Sequence, residues 1–104
     1  MQVRFSQAAE ADIIDSYLYG LVNFGQAQAE QYEADLKKFV GLIADNPRMA
    51  RERAEYRPSV RIHHHGKHYI VYRIEDDHVL VIRLLRDDVD LTRHLQRGEG
   101  QRDE

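Results

Sequence analysis

Residues 57–86 read RPSVRIHHHGKHYIVYRIEDDHVLVIRLLR, and the fold turns on how this stretch is divided. Valine, isoleucine and tyrosine dominate it, in runs bounded by turn residues, which is the composition of strands. Gly66 marks one turn and Asp76-Asp77 the next. The spacing predicts strands over 59–65, 67–75 and 78–86, with Pro58 just ahead of the first, where a missing N–H is tolerated. Links this short leave only an antiparallel meander.

Alternation then sorts the side chains. On the middle strand Ile70, Tyr72 and Ile74 share one face, and Tyr69, Val71 and Arg73 the other. On the last strand Leu80, Ile82 and Leu84 oppose Val79, Val81, Arg83 and Leu85. On the first, Val60 and Ile62 oppose Arg61 and His63. The uniformly apolar sets are expected to pack on helices. The opposite face would then be open and would carry Arg61, Arg73 and Arg83 among aliphatic neighbours. A half-apolar, half-cationic face suits a protein partner; the bland alternative is that each arginine pairs with a nearby acid.

Upstream, Val3-Arg4-Phe5 reads as a brief first strand, and Ser6 as the N-cap of a helix from Gln7 to about Asn23. Ala11, Ile14, Leu18 and Leu21, with Tyr17 beside them, recur at helical spacing and are expected to face the core. Gly25 breaks the chain, and a second helix runs from about Gln26 to Ala44. Its stripe is Ala29, Tyr32, Leu36, Phe39, Val40 and Ile43, and Asp45-Asn46-Pro47 stops it. So short a link makes the two helices an antiparallel hairpin. Residues 48–57 carry no periodic pattern and read as a loop. Downstream, a helical turn is expected near Thr92–Leu95, and 97–104 reads as a disordered tail after a single domain over 1–96.

The histidines His63, His64, His65 and His68 raise the question of a metal. Alternation sets His64 apart from His63 and His65, and neither cysteine nor a close acid completes a ligand set, so no metal site and no cofactor are expected. The reading is an exposed hairpin tip whose charge varies with pH.

Length and composition fit one globular domain: 104 residues, 42% hydrophobic and 32% charged, with no cysteine to staple it. Residues 1–12 contain no apolar signal core and no run is long enough to span a membrane, so a cytoplasmic protein is expected. Net charge is −3, but 48–97 hold 11 basic against 8 acidic side chains while 1–47 hold 3 against 7. Arginine forks suit carboxylates, and a dedicated nucleic-acid binder would be more basic overall. An acidic protein partner is therefore expected before bare RNA or DNA.

The order and spacing of VRFSQAAEADIIDSYLY, FGQAQAEQYEADL, IADNPRMA, the meander and the closing DDVDLTRHL resemble the ParE toxins of the wider ParE/RelE superfamily. The resemblance covers about residues 3–95. It implies an α+β chain in the order β-α-α-β-β-β, with the helical hairpin on a small, twisted, mainly antiparallel sheet. It also implies a cognate ParD-like antitoxin with an acidic C-terminal segment, contact with DNA only through that antitoxin, and a role in growth arrest and plasmid stabilisation. ParE toxins inhibit DNA gyrase by binding it, so no catalytic residue is expected. The alternatives are a RelE-like ribosome-dependent mRNA endoribonuclease, for which Arg61, Arg73, Arg83, Arg86 and His94 would have to converge with Tyr69 and His63, and a non-toxic antitoxin-binding relic. The expected contacts for partner or target are Arg61, Arg73 and Arg83 on the open face, Arg86 and His94 at the C-terminal end, and Tyr17 and Leu21 at the rim of the hairpin.

Overall fold

The computed structural model describes residues 1–95; the expectations for residue 96 and for a tail over 97–104 lie outside them. Along the chain come β1 (Gln2–Phe5), α1 (Gln7–Phe24), α2 (Gln26–Asp45), β2 (Glu52–Arg53), β3 (Val60–His65), β4 (His68–Ile74), β5 (His78–Arg86) and α3 (Leu91–His94). The α+β architecture, the helical hairpin and the meander are those expected. The sheet order is β1-β5-β4-β3-β2. All its pairs are antiparallel but one: β1 lies parallel to β5, with Val3 opposite Val79 and Phe5 opposite Val81. The segment expected to be wholly loop contributes β2, two residues that pair with Val60 and Arg61. So short a strand has no pattern of its own and exists only by bonding to β3.

Ser6 fixes where α1 starts. Its Oγ accepts the Ala9 N–H at 3.0 Å and donates to the Ile82 carbonyl at 2.7 Å. One hydroxyl thus caps the helix and pins it to β5. Gly25, at φ 91°, ends α1 and begins α2, a positive-φ conformation that glycine adopts without a Cβ clash. Gly20 sits against Ala29 at the closed end of the hairpin, where an added Cβ would lie 3.5 Å from the Ala29 side chain.

The face assignments on the sheet are corrected. A β-bulge in β5 sets Val71 opposite Arg83 but Tyr72 opposite Val81, leaving Ile82 unpaired. Parity reverses across it, so Val79, Val81 and Leu84 pack together against the helices with Ile70 and Tyr72. Val60 and Ile62, expected beneath the helices, lie on the far face with Val71, Ile82 and Leu85. That face is not open: Tyr56, Val89, Leu91 and Leu95 cover it. The sheet therefore has two apolar faces, and apolar alternation alone could not say which one the helices take.

The α1 stripe is corrected too. Ala9 is fully buried and Ile13 packs beside it on the helix-side core. Ala11, Ile14, Leu18 and Leu21 face solvent. The inward line uses small residues, Ala9 and Gly20, because the helix lies close to its neighbours there. Of the bulky residues, Ile14, Leu18 and Leu21 stand on the outside. In α2 the stripe is as expected, with Ala29, Leu36, Val40 and Ile43 buried and Tyr32 and Phe39 half-buried.

The hairpin tip is less exposed than expected. His63, His65 and His68 turn towards α2. Phe39 lies 4.7 Å by ring centroid from both His63 and His65, and the Tyr32 hydroxyl lies 2.6 Å from His68 Nδ1.

Candidate protein-binding site

The most conspicuous feature of the described surface is α1 itself. Ile14 is 59% exposed, Leu18 50% and Val22 83%. At spacings of four they form a line along the helix, flanked by the exposed Ala11 and Leu21. Isolated surface aliphatics are ordinary, but a line of them along one helix face is a surface that a partner could cover.

One flank of this ridge falls into a groove. α1 and α2 meet closely at Gly20 and Ala29; away from that closed end, a depression of about 390 Å³ is bordered by β1 and both helices. Ile13 lines it from α1, Leu36, Val40 and Gly41 from α2, and Val3 and Phe5 from β1, with Glu33 and Lys37 also lining it. No atom stands within 4 Å of a Cβ added at Gly41, so that wall is open. The groove is apolar, with one charge of each sign on α2.

The other flank carries two arginines from β5. Past Val81 the strand no longer pairs with β1, and α1 takes over its edge. The Asp12 carboxylate accepts two hydrogen bonds from Arg83, at 2.8 and 3.0 Å, and a third from the Leu84 N–H at 2.9 Å. The Asp12 bond raises the Arg83 pKa above its ordinary value. Two turns along α1, the guanidinium of Arg86 lies 4.9 Å from the centre of the Tyr19 ring and bonds Asp88 at 3.1 and 3.3 Å. Arg86 is half exposed, so its bond with Asp88 is a weak surface pair that a partner's carboxylate can replace.

The seven expected contact residues thus separate. Tyr17, half-buried, and Leu21 belong to α1, and Arg83 and Arg86 border it. Arg61 points to the helix side, not to an open face, and donates to the Ala50 carbonyl at 2.6 Å beside Tyr72. Arg73 binds Glu75 at 3.0 Å. His94 is exposed on α3, among residues that pack on the far face of the sheet. Arg61, Arg73, Arg83, Arg86 and His94 therefore do not converge on one point as a nuclease site would require. Sequence reasoning missed Ile14, Leu18 and Val22 as surface residues, together with Tyr19 and the groove lining. The usable signal was the second line of small residues in α1, which offered the core an alternative face. Among the described residues, no group of three or more His, Cys, Asp or Glu side chains is placed to hold a metal ion, and no helix is long and apolar enough to cross a membrane.

Comparison with known proteins fits this geometry. Residues 3–91 match the family model described as the ParE toxin of the type II toxin–antitoxin system parDE. A toxin of Caulobacter vibrioides named ParE1 is 30% identical over 92 residues, covering 88% of this chain and 95% of that protein. A Mycobacterium tuberculosis toxin of the same name is 33% identical over 91 residues, covering 86% and 93%. A solved structure described as a chromosomal ParDE toxin–antitoxin system from P. aeruginosa superimposes with a TM-score of 0.69 at 20% identity, over 83% of this chain and 95% of the other. At that identity it supports the fold.

Proposed function

Since the chain belongs to the ParE family of type II toxin–antitoxin toxins, we propose that a cognate ParD-like antitoxin neutralises it and that, when free, it inhibits DNA gyrase. The observation that carries the antitoxin half is the exposed ridge of α1 with an apolar groove on one flank and arginines on the other. An amphipathic segment would lay its apolar side chains on Ile14, Leu18 and Val22 and offer carboxylates to Arg86. This is helix-in-groove recognition, with coupled folding of a flexible acidic segment. Burial of the ridge supplies affinity, and the charges set orientation and encounter rate.

The gyrase half rests on the family. Inhibition by binding asks for a surface and no reaction, which agrees with arginines engaged in separate internal bonds. The deciding assay is gyrase supercoiling and DNA cleavage with the purified protein, with and without antitoxin. Inhibition or trapped cleaved DNA, relieved by antitoxin, is expected. Folded protein that leaves gyrase untouched would overturn the target assignment, and rapid mRNA loss on induction would replace it with ribosome-dependent cleavage.

A further inference from the structure

Four imidazoles lie within six residues at the β3–β4 tip; His64 is exposed, but His63, His65 and His68 pack on rings of α2. His65 stacks on Phe39 with rings 25° apart, and His63 meets the same ring edge-on at 66°. Tyr32 lies between His65 and His68, at 5.8 and 5.5 Å by ring centroid. Its hydroxyl bonds His68 Nδ1 and reaches the His65 carbonyl at 3.2 Å. The turn is fitted to the same ring: Gly66 has φ 59°, and an added Cβ would come within 2.8 Å of Tyr32. We propose that this tip is a proton-operated latch on α2, held on Tyr32 and Phe39 while His65 and His68 are neutral and released as they take up protons.

Burial and the nearby cations outweigh the nearby carboxylates for an imidazolium here. His63, His64 and Lys67 stand on the hairpin itself, and Arg86 is the direct cross-strand neighbour of His68. Three carboxylates face the cluster; Asp87 and Asp12 already pair with other groups, while Asp35 keeps its charge and partly opposes the effect of burial on His65. Asp35 of α2 accepts from Gln31 at 3.0 Å. Asp87, after β5, holds His64 at 2.9 Å. Asp12 of α1 holds Arg83. Burial lowers the affinity of both His65 and His68 for a proton, and for His68 the Arg86 charge adds to this. Folded-state values below the ordinary one give a definite sign. The stabilisation is complete above the unfolded value of about 6.5 and is lost as pH falls through the folded values. The window is the mildly acidic range in which histidine switches work.

The test is amide hydrogen exchange on the whole chain from about pH 7.5 to about pH 5, with rates corrected for intrinsic chemistry, alongside NMR titration of each imidazole. The latch predicts a severalfold loss of protection at 65–69 on acidification, while the β4–β5 pairing stays protected. His65→Phe combined with His68→Gln keeps the stacking and removes both protons, and should flatten that response. Tip protection indifferent to pH, or an equal response in the double variant, overturns the proposal. If the double variant does not fold, the wild-type titrations decide: His65 and His68 titrating at or above the ordinary histidine value sink it, and titration below that value together with the loss of protection supports it.

Discussion

Trimming the α1 ridge gives the most direct test of where the partner binds. Ile14 and Leu18 keep 59% and 50% of their surface in the free protein. Burying such a side chain completely is worth about 1.5–3 kcal/mol, so covering the remaining half is worth about 1 kcal/mol each. Alanine retains a part of that, and Ile14→Ala with Leu18→Ala should remove about 1.5–2 kcal/mol of binding energy, a Kd about ten- to thirtyfold weaker. The free fold should suffer less than for a core position, because the rest of each side chain is only partly packed and alanine favours helix. Titration calorimetry against the antitoxin reads the first quantity and thermal unfolding of the free protein the second. A Kd within about threefold of wild type, in a protein shown to be folded, would refute the assignment of α1 as the docking face.

Three further outcomes follow from named contacts. Arg86→Glu should weaken antitoxin binding severalfold and slow association at low salt while the Tm hardly moves, since Arg86 lies on the surface; stopped-flow association rates at two salt concentrations check it. Asp12→Ala should lower stability by about 2–3 kcal/mol, because it strands a partly buried Arg83 and the Leu84 N–H together; denaturant unfolding measures it, and a loss below about 0.5 kcal/mol would mean that water replaces all three bonds. Gly66→Ala should cost at least about 1 kcal/mol, from positive φ and the close approach to Tyr32, and its thermal midpoint shows this.

The local signals were legible where one physical cause dominated. Gly66, Gly25 and Ser6 fixed the two turns and the helix start, and the β-branched runs of 59–86 fixed the meander. What failed was the choice between faces. Both sides of the sheet are apolar, and an unpaired Ile82 reverses the alternation midway along β5, so Val79 and Val81 sit under the helices although parity set them opposite Leu84. In α1 the larger side chains dominated the pattern, while the core is contacted by Ala9 and Ile13 and the hairpin closes on Gly20. β2 and the parallel placement of β1 come from long-range pairing, which no local window contains. At the candidate site, Tyr17, Leu21, Arg83 and Arg86 were legible as residues, but their neighbourhood was not. Arg61 read as surface because its partner is a backbone carbonyl, which no sequence pattern marks.

The parallel clasp of β1 on β5 also has a consequence for biosynthesis. The bond from Ser6 to Ile82 joins residues 76 apart, and Val3 and Phe5 stay without strand partners until Val79 and Val81 have emerged from the ribosome. The helical hairpin can form early, but the strands β3, β4 and β5 that it rests on come after it along the chain. Loop-closure entropy must be met before that distant pairing returns any stabilisation. A nascent chain stopped before about residue 82 would therefore be left with its apolar hairpin uncovered.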